Sequence, residues 1–321
     1  MTAATDRALL TWDCPDHILA PLQDMGVAIE RVPDSSLTVD GLRAVLPGVR
    51  ALLATPLFPI SAPVIEAGDA LRIISTYAVG YDNIDIATCK ARGVLVGHTP
   101  GVVVEATADV TYALILSVMR NIISGDRFVR TGAWKTSYLP YGHDLRGKTL
   151  GIVGMGAIGS AVATRARASG MKIAYTNRSP KPNAPADATF MPLDDLLASA
   201  DCVAVLAPAS AQTRKMFDAA AFAKMKQGAY FVNAARGVLV DTQALHAALA
   251  SGHLTGAAVD VLDPEPIGAD HPLLSLPNFF ITPHIGTATY ETRDAMAALM
   301  IANAVAGLRG EPLPAQVPGS F

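Results

Sequence analysis

The stretch Lys148–Ser179, KTLGIVGMGAIGSAVATRARASGMKIAYTNRS, decides how the rest of the chain is read. Thr149–Val153 is a short apolar run, Ala157–Ser169 carries a helical pattern, and Met171–Thr176 is a second apolar run. That succession predicts strand, helix, strand. Between the first strand and the helix lies Gly154-Met155-Gly156-Ala157-Ile158-Gly159, a GxGxxG motif in the strand–turn–helix setting where it binds a dinucleotide. Gly154 permits the tight turn, Gly156 lets a pyrophosphate reach the backbone, and Gly159 lets helix and strand pack closely. The helix start adds free N–H groups and a positive dipole end for the phosphates.

The end of the second strand bears on which dinucleotide is bound. A carboxylate there hydrogen-bonds the ribose 2′-hydroxyl of NAD. Here the strand runs into Asn177-Arg178-Ser179, and no carboxylate follows before Asp187. Arg178 offers a charge-matched fork for a 2′-phosphate and Ser179 a hydroxyl donor. NADP(H) is expected in preference to NAD(H).

At 321 residues the chain is too long for one average domain. Its 51% hydrophobic content supplies apolar material for two cores. A net charge of −3 gives no electrostatic case for nucleic acid or an anionic membrane. Cys14, Cys89 and Cys202 are odd in number and scattered, so neither a disulfide framework nor a metal motif is indicated. The N-terminus lacks the apolar stretch of a signal peptide, and the run at 106–119 is too short to span a bilayer. A soluble cytoplasmic protein is expected.

Residues 1–100 alternate short apolar runs with helix-length patterns: strands at 8–11, 27–29, 51–54, 72–75 and 94–96, helices at 16–25, 39–45, 62–67 and 84–92. Repeated β–α units imply a parallel sheet covered on both faces. From Val102 to about Arg130 the pattern predicts one long helix, apolar on more than one side and buried between domains. Further strands are expected at 202–206, 230–233, 256–260 and 280–282, and a last helix from Thr289 to about Leu308. The fold class is therefore α/β, with two doubly wound, Rossmann-like parallel-sheet domains and an active-site cleft between them. Residues 1–101, completed by 287–321, would bind substrate, and 102–286 would bind NADP.

Three strand ends in the second half carry chemistry. Asn233-Ala234-Ala235-Arg236-Gly237 follows one strand, Asp260-Val-Leu-Asp-Pro-Glu265-Pro266 the next, and Thr282-Pro283-His284-Ile285-Gly286 the last. Loops at the carboxyl ends of parallel strands meet at the ligand crevice. Arg236 can hold a carboxylate bidentately. His284 is suited to proton exchange near neutrality, and a carboxylate beside it, such as Glu265, would favour the imidazolium.

Several segments resemble the D-isomer-specific 2-hydroxyacid dehydrogenases, and within them the glyoxylate/hydroxypyruvate reductases, including those that reduce 2-ketogluconate. They are VGYDNID (79–85), HTPGVVVEATAD (98–109), GKTLGIVGMGAIG (147–159), NAARGVLVD (233–241), AAVDVLDPEP (257–266) and TPHIGTAT (282–289). The resemblance implies that Arg236 binds substrate, Glu265 pairs with the catalytic histidine, and His284 is the acid/base. It implies that Val79 and Gly80 offer backbone N–H groups to the substrate carboxylate. It also places Thr107, Ala207, Pro208, Thr213, Ala234, Ala235, Asp260, His284 and Gly286 along the cofactor, with Asp260 at the nicotinamide amide. Asn177, Arg178 and Ser179 match its NADP-preferring members. Related reductases bring a tryptophan into the neighbouring subunit's active site, which gives Trp134 a substrate-selecting role and implies a homodimer. Ala207-Pro208-Ala209-Ser210 departs from the bulkier leucine–threonine pair common in the family, and the regulatory module of phosphoglycerate dehydrogenases is absent.

The expected activity is NADPH-dependent reduction of small 2-keto acids, glyoxylate to glycolate and hydroxypyruvate to D-glycerate. In this reading the C4 hydride adds to the keto carbon while His284 protonates the oxygen. Reduction of 2-ketogluconate or another keto acid is the near alternative. A dinucleotide-sensing regulatory protein is the alternative of a different class, and oxidation of formate or phosphite on the same fold ranks below both. None requires a metal.

Overall fold

The structure, a computed structural model, describes residues 6–182 and 184–320, the Asp34 side chain excepted. Met1–Thr5, part of the segment read above for a signal peptide, lie outside the described residues. The chain forms two compact units, Met1–Val103 with Thr289–Phe321, and Val104–Ala288.

The first unit holds a sheet of five parallel strands: β1 (Arg7–Leu10), β2 (Ala28–Arg31), β3 (Ala51–Ala54), β4 (Ile73–Thr76) and β5 (Leu95–Gly97), in the order β2-β1-β3-β4-β5. Side chains alternate across a strand, and here both faces are apolar. Leu9, Leu52 and Ile74 point to one face, where Leu42, Val64 and Ile65 cover them. Ala8, Leu10, Leu53 and Ile73 point to the other, under Leu19 and Leu22. The second face is completed by Met300, Ile301 and Ala304 of the helix Tyr290–Arg309, which starts at Thr289, whose hydroxyl caps the Thr292 amide.

The second unit holds seven parallel strands: β6 (Thr149–Val153), β7 (Lys172–Thr176), β8 (Thr189–Phe190), β9 (Cys202–Val205), β10 (Ala229–Asn233), β11 (Leu254–Val259) and β12 (Phe279–Ile281). Their order, β12-β11-β10-β9-β6-β7-β8, reverses direction between β6 and β9, the switch point where a doubly wound sheet binds its ligand. One face packs Leu150, Ile152, Ala204 and Val232 under the helices Val104–Met119 and Ala157–Ala168. The other packs Val153, Val203, Phe231 and Val259 with Phe217, Phe222 and Leu245.

One expectation is corrected here, and one element was not foreseen. The long helix over 102–130 is in fact two helices, Val104–Met119 and Ile122–Arg130, bent by 62°. Asn121 makes the break: its φ of 55° is left-handed, a conformation no helix interior tolerates. Val104–Met119 is a buried core helix, whereas Ile122–Arg130 buries no residue. The edge strand β8 went unanticipated because its two residues are too short to show a period. Among the described residues, no single helix is long and apolar enough to cross a membrane.

Candidate active site

At the switch point β6 runs into Gly154, whose φ of 106° is open to glycine alone at little cost. A Cβ there would lie 2.6 Å from the backbone of Leu206 and Ala207, in the loop after β9. A Cβ on Gly159 would lie 2.4 Å from the Gly154 carbonyl oxygen, so the helix presses directly on the turn. Gly156 differs, because a Cβ there would meet nothing within 4 Å. The helix Ala157–Ala168 begins at Gly156 with no side-chain cap and no acidic residue in its first turn. Its first N–H groups are thus left for an anionic ligand in open space. These residues fit a dinucleotide pyrophosphate.

The side chain of Asn177, at the end of β7, is turned onto this turn. Its Oδ1 accepts from the Met155 amide at 2.8 Å, and its Nδ2 faces the Met155 carbonyl at 3.4 Å. Arg178 and Ser179 are exposed beyond it. The next carboxylate, Asp187, is paired with Arg167 at 2.9 Å. On the other side of the switch point Thr213 Oγ1 donates to the Pro208 carbonyl at 2.9 Å and accepts from the Ser210 amide at 2.8 Å, which folds the loop after Ala207 back on itself.

The loops after β10, β11 and β12 are fastened to one another. Buried Asn233 accepts from the Ala235 amide at 3.0 Å and donates to the Arg236 carbonyl at 3.0 Å, so Ala234 and Ala235 form a side-chain-braced turn. Arg236 is half-buried, with one Nη1 bond to the Ala235 carbonyl at 2.8 Å. A Cβ on Gly237 would fall 2.0 Å from the Leu262 carbonyl carbon, so here two loop backbones touch. Sequence reasoning picked out Arg236 and passed over this glycine beside it.

Asp260 is the organiser of the last loop. Buried at the end of β11, it accepts from Thr282 Oγ1 at 2.6 Å, from the Ile285 amide at 2.9 Å, and from the Gly286 amide at 2.9 Å. Gly286 packs against Thr107, whose Cγ2 would lie 3.4 Å from an added Cβ. Between these anchors His284 has φ 53°, uncommon for a residue with a side chain, and its amide faces the carbonyls of Asp260 and Thr282, each at 3.0 Å. Such a conformation costs on the order of 1–3 kcal/mol and persists where the surroundings over-determine it. The Asp260 bonds supply that constraint.

The conformation aims His284 Nδ1 at Glu265 Oε1, 2.6 Å away. Glu265 stands on the loop after β11, where the peptide bonds before Pro264 and Pro266 are cis. A carboxylate can only accept, so Nδ1 carries a proton and Nε2 is the nitrogen left to exchange one. Both side chains are about two-fifths exposed and open to a ligand. The three strand-end motifs therefore lie at one end of one sheet, next to the glycine turn, with the His284–Glu265 hydrogen bond formed among them.

Across residues 112–286 the chain matches the model of the D-isomer specific 2-hydroxyacid dehydrogenase, NAD binding domain. The chain belongs to the D-isomer specific 2-hydroxyacid dehydrogenase family. It is 46% identical over 256 residues to a glyoxylate/hydroxypyruvate reductase B of Klebsiella pneumoniae, covering 78% of this chain and 79% of that one. To a glyoxylate reductase of Korarchaeum cryptofilum it is 42% identical over 269 residues, 82% and 81% of the two chains. Among solved structures, an NADPH-dependent glyoxylate/hydroxypyruvate reductase from Sinorhizobium meliloti, in complex with NADP and malonate, superposes with a TM-score of 0.89. That likeness has 29% identity and covers 99% and 98% of the two chains. This 2-hydroxyacid dehydrogenase is thus an oxidoreductase built on a nicotinamide dinucleotide.

Two further features of the dehydrogenase were singled out in its sequence. In the first unit, half-buried Val79 and Gly80 lie in the loop after β4, and their amides make no hydrogen bond among the described residues. In the second, Trp134 sits 69% exposed in the turn Ala133–Lys135, followed by exposed Tyr138 and Tyr141. Nearby, a cavity of about 420 Å³ is lined by Val118, Phe128, Leu139, Tyr141, Tyr230 and Phe280. Its lining includes none of the Gly154, Arg236, Glu265 and His284 set, so it is a hollow separate from the candidate active site.

Proposed function

We propose that this dehydrogenase is an NADPH-dependent reductase of small 2-keto acids, converting glyoxylate to glycolate and hydroxypyruvate to D-glycerate. The observation that carries the reading is the His284–Glu265 pair, 2.6 Å apart on adjacent strand-end loops of the dinucleotide sheet. The bound cofactor supplies the hydride that adds to the keto carbon. Protonated His284 donates from Nε2 to the keto oxygen, a step worth on the order of 10²–10⁴-fold. Glu265 accepts a hydrogen bond from Nδ1–H, so that proton stays on the ring and the ring keeps the orientation and tautomer that the reverse transfer needs. Arg236 binds the carboxylate through its guanidinium fork, and the free amides of Val79 and Gly80 offer it further donors.

Along the cofactor, the 154–159 turn takes the pyrophosphate. Ala207, Pro208 and Thr213 flank the adenosine side, while Thr107, Ala234, Ala235 and Gly286 flank the nicotinamide. Asp260 has three of about four acceptor sites occupied by its loop, and the last serves the nicotinamide amide. Preference for NADP(H) is supported by the exposed Arg178 and Ser179 and by the pairing of Asp187 away with Arg167. Asn177 contributes by bracing the turn. The Sinorhizobium meliloti neighbour, named as NADPH-dependent, is in line with this.

A homodimer is supported by the exposed Ile122, Val129, Trp134, Tyr138 and Tyr141 beside the 420 Å³ cavity, apolar surface of the kind that marks an interface. Trp134 would then select for a substrate with a terminal hydroxyl. Three unpaired cysteines, two of them buried, are consistent with a cytoplasmic enzyme. The test is a keto-acid panel with NADPH. Turnover of glyoxylate and hydroxypyruvate with matching NADPH consumption is expected, and 2-ketogluconate as the best substrate would move the assignment within the family. Dinucleotide binding without turnover of any keto acid would overturn it in favour of the sensing role.

A further inference from the structure

We infer that His98 is a positioning residue that aims the Gly80 amide at the substrate carboxylate. The inference rests on the reading above, in which Val79 and Gly80 bind that carboxylate. All the residues it uses lie in the first unit.

The loop after β4 is tied down at successive carbonyls. The Ala78 carbonyl accepts from the Thr99 amide at 2.9 Å, and the Val79 carbonyl is 3.0 Å from His98 Nδ1. A carbonyl oxygen only accepts, so His98 donates from Nδ1. In a trans peptide the C=O and the following N–H point in opposite directions. Gripping the Val79 carbonyl from one side therefore turns the Gly80 N–H, of the same peptide unit, out on the other. That amide has no partner among the described residues. A free loop would let this peptide flip; the histidine removes that freedom.

His98 is itself held from three directions. Its amide donates to the Ala315 carbonyl at 3.0 Å, and its carbonyl accepts from Asn303 Nδ2 at 3.0 Å. The ring stands edge-on to Tyr81, centroids 5.7 Å apart. Asn303 is fully buried in the C-terminal helix and also accepts from the Ala315 amide at 2.9 Å. Gly97 is required beside it, since a Cβ there would lie 2.7 Å from Asn303 Cβ. A rigid donor thus reaches back from the end of β5 to the half-buried turn after β4.

The test is steady-state kinetics of His98→Phe and His98→Asn in the full-length enzyme. Phenylalanine keeps the ring and loses the donor, whereas asparagine keeps an N–H where Nδ1 lies. For His98→Phe the KM for glyoxylate should rise on the order of tenfold, as for loss of one well-placed hydrogen bond. Inhibition by oxamate, a carboxylate-bearing analogue, should weaken in the same proportion, with kcat within about threefold and the KM for NADPH unchanged. His98→Asn should return both to within about threefold of the parent. Parental KM in His98→Phe would overturn the inference, as would a KM rise that asparagine fails to rescue or a fall confined to kcat. If the parent enzyme turned over no keto acid, the functional reading would fail instead, and the two failures are thereby distinguished.

Discussion

The two units build the same first step and use it differently. In each, a buried parallel strand is followed by a turn and a helix. After β1 the turn carries Trp12, whose ring stacks on Tyr77 at 5.1 Å, and the helix Asp16–Gln23 puts a carboxylate in its own first turn. After β6 the turn is Gly154-Met155-Gly156, and the helix Ala157–Ala168 opens with no carboxylate and no cap. One helix start sets a carboxylate against its own dipole, while the other leaves bare N–H groups beneath open space. The parallel sheet provides the position, and a few glycines together with a missing acid decide whether a phosphate can occupy it.

The largest way to break that contrast is through the chemistry that only the second unit carries. His284→Ala should lower kcat by on the order of 10²–10⁴-fold with NADPH affinity retained, measured by turnover and by fluorescence titration. Retention of more than about a tenth of kcat would remove His284 from the donor role.

Next comes the turn itself. Gly154→Ala combines a disallowed φ of 106° with a 2.6 Å approach to the Leu206–Ala207 backbone. Strain and overpacking of a few kcal/mol should weaken NADPH binding about a hundredfold. The matched control is Gly93→Ala in the first unit, where φ is 69° and a Cβ would meet nothing within 4 Å. It should lower stability by about 1–2 kcal/mol and leave NADPH affinity alone. Equal effects on nucleotide binding would erase the distinction between the units.

Arg178→Ala should reduce kcat/KM for NADPH about tenfold, the low end for a charge-assisted hydrogen bond, and leave NADH values unchanged. A loss shared by both cofactors would place Arg178 on the common pyrophosphate.

The smallest effect sits at the far end of the same sheet. Burial pushes the Asp201 carboxyl up, but the Lys226 ammonium at 2.6 Å, the Thr149 amide at 2.9 Å and Lys148 outweigh it and hold the group below its usual range. A depressed carboxyl stabilises the fold above its unfolded value and loses that contribution as pH falls through the folded one. Asp201→Asn should therefore cost about 1 kcal/mol at pH 7, and parent and variant should converge in urea midpoint well below about pH 3.9. A gap independent of pH would assign the loss to packing.

Much of this was legible in the sequence, because strands buried on both faces leave uninterrupted apolar runs. Thr149–Val153 and Ala51–Ala54 have the bounds their composition implied. The strand-end motifs were legible for the same reason, since a buried run makes Arg236, Glu265 and His284 stand out as polar residues just beyond it. What could not be read were relations between loops distant in sequence. Asp260 was expected at the cofactor, and its three bonds to the His284 loop depend on β11 and β12 lying side by side. The left-handed φ of Asn121 that breaks the predicted long helix is likewise a matter of conformation, invisible in a continuous apolar pattern. The tie from His98 to Val79 needs β4 beside β5.

The most direct measurement is kcat/KM of the unmodified enzyme for glyoxylate and for hydroxypyruvate, each with NADPH and with NADH at one fixed pH. Turnover of both acids is expected, with NADPH favoured about tenfold or more. Absence of turnover with either acid, or a preference for NADH, would contradict it.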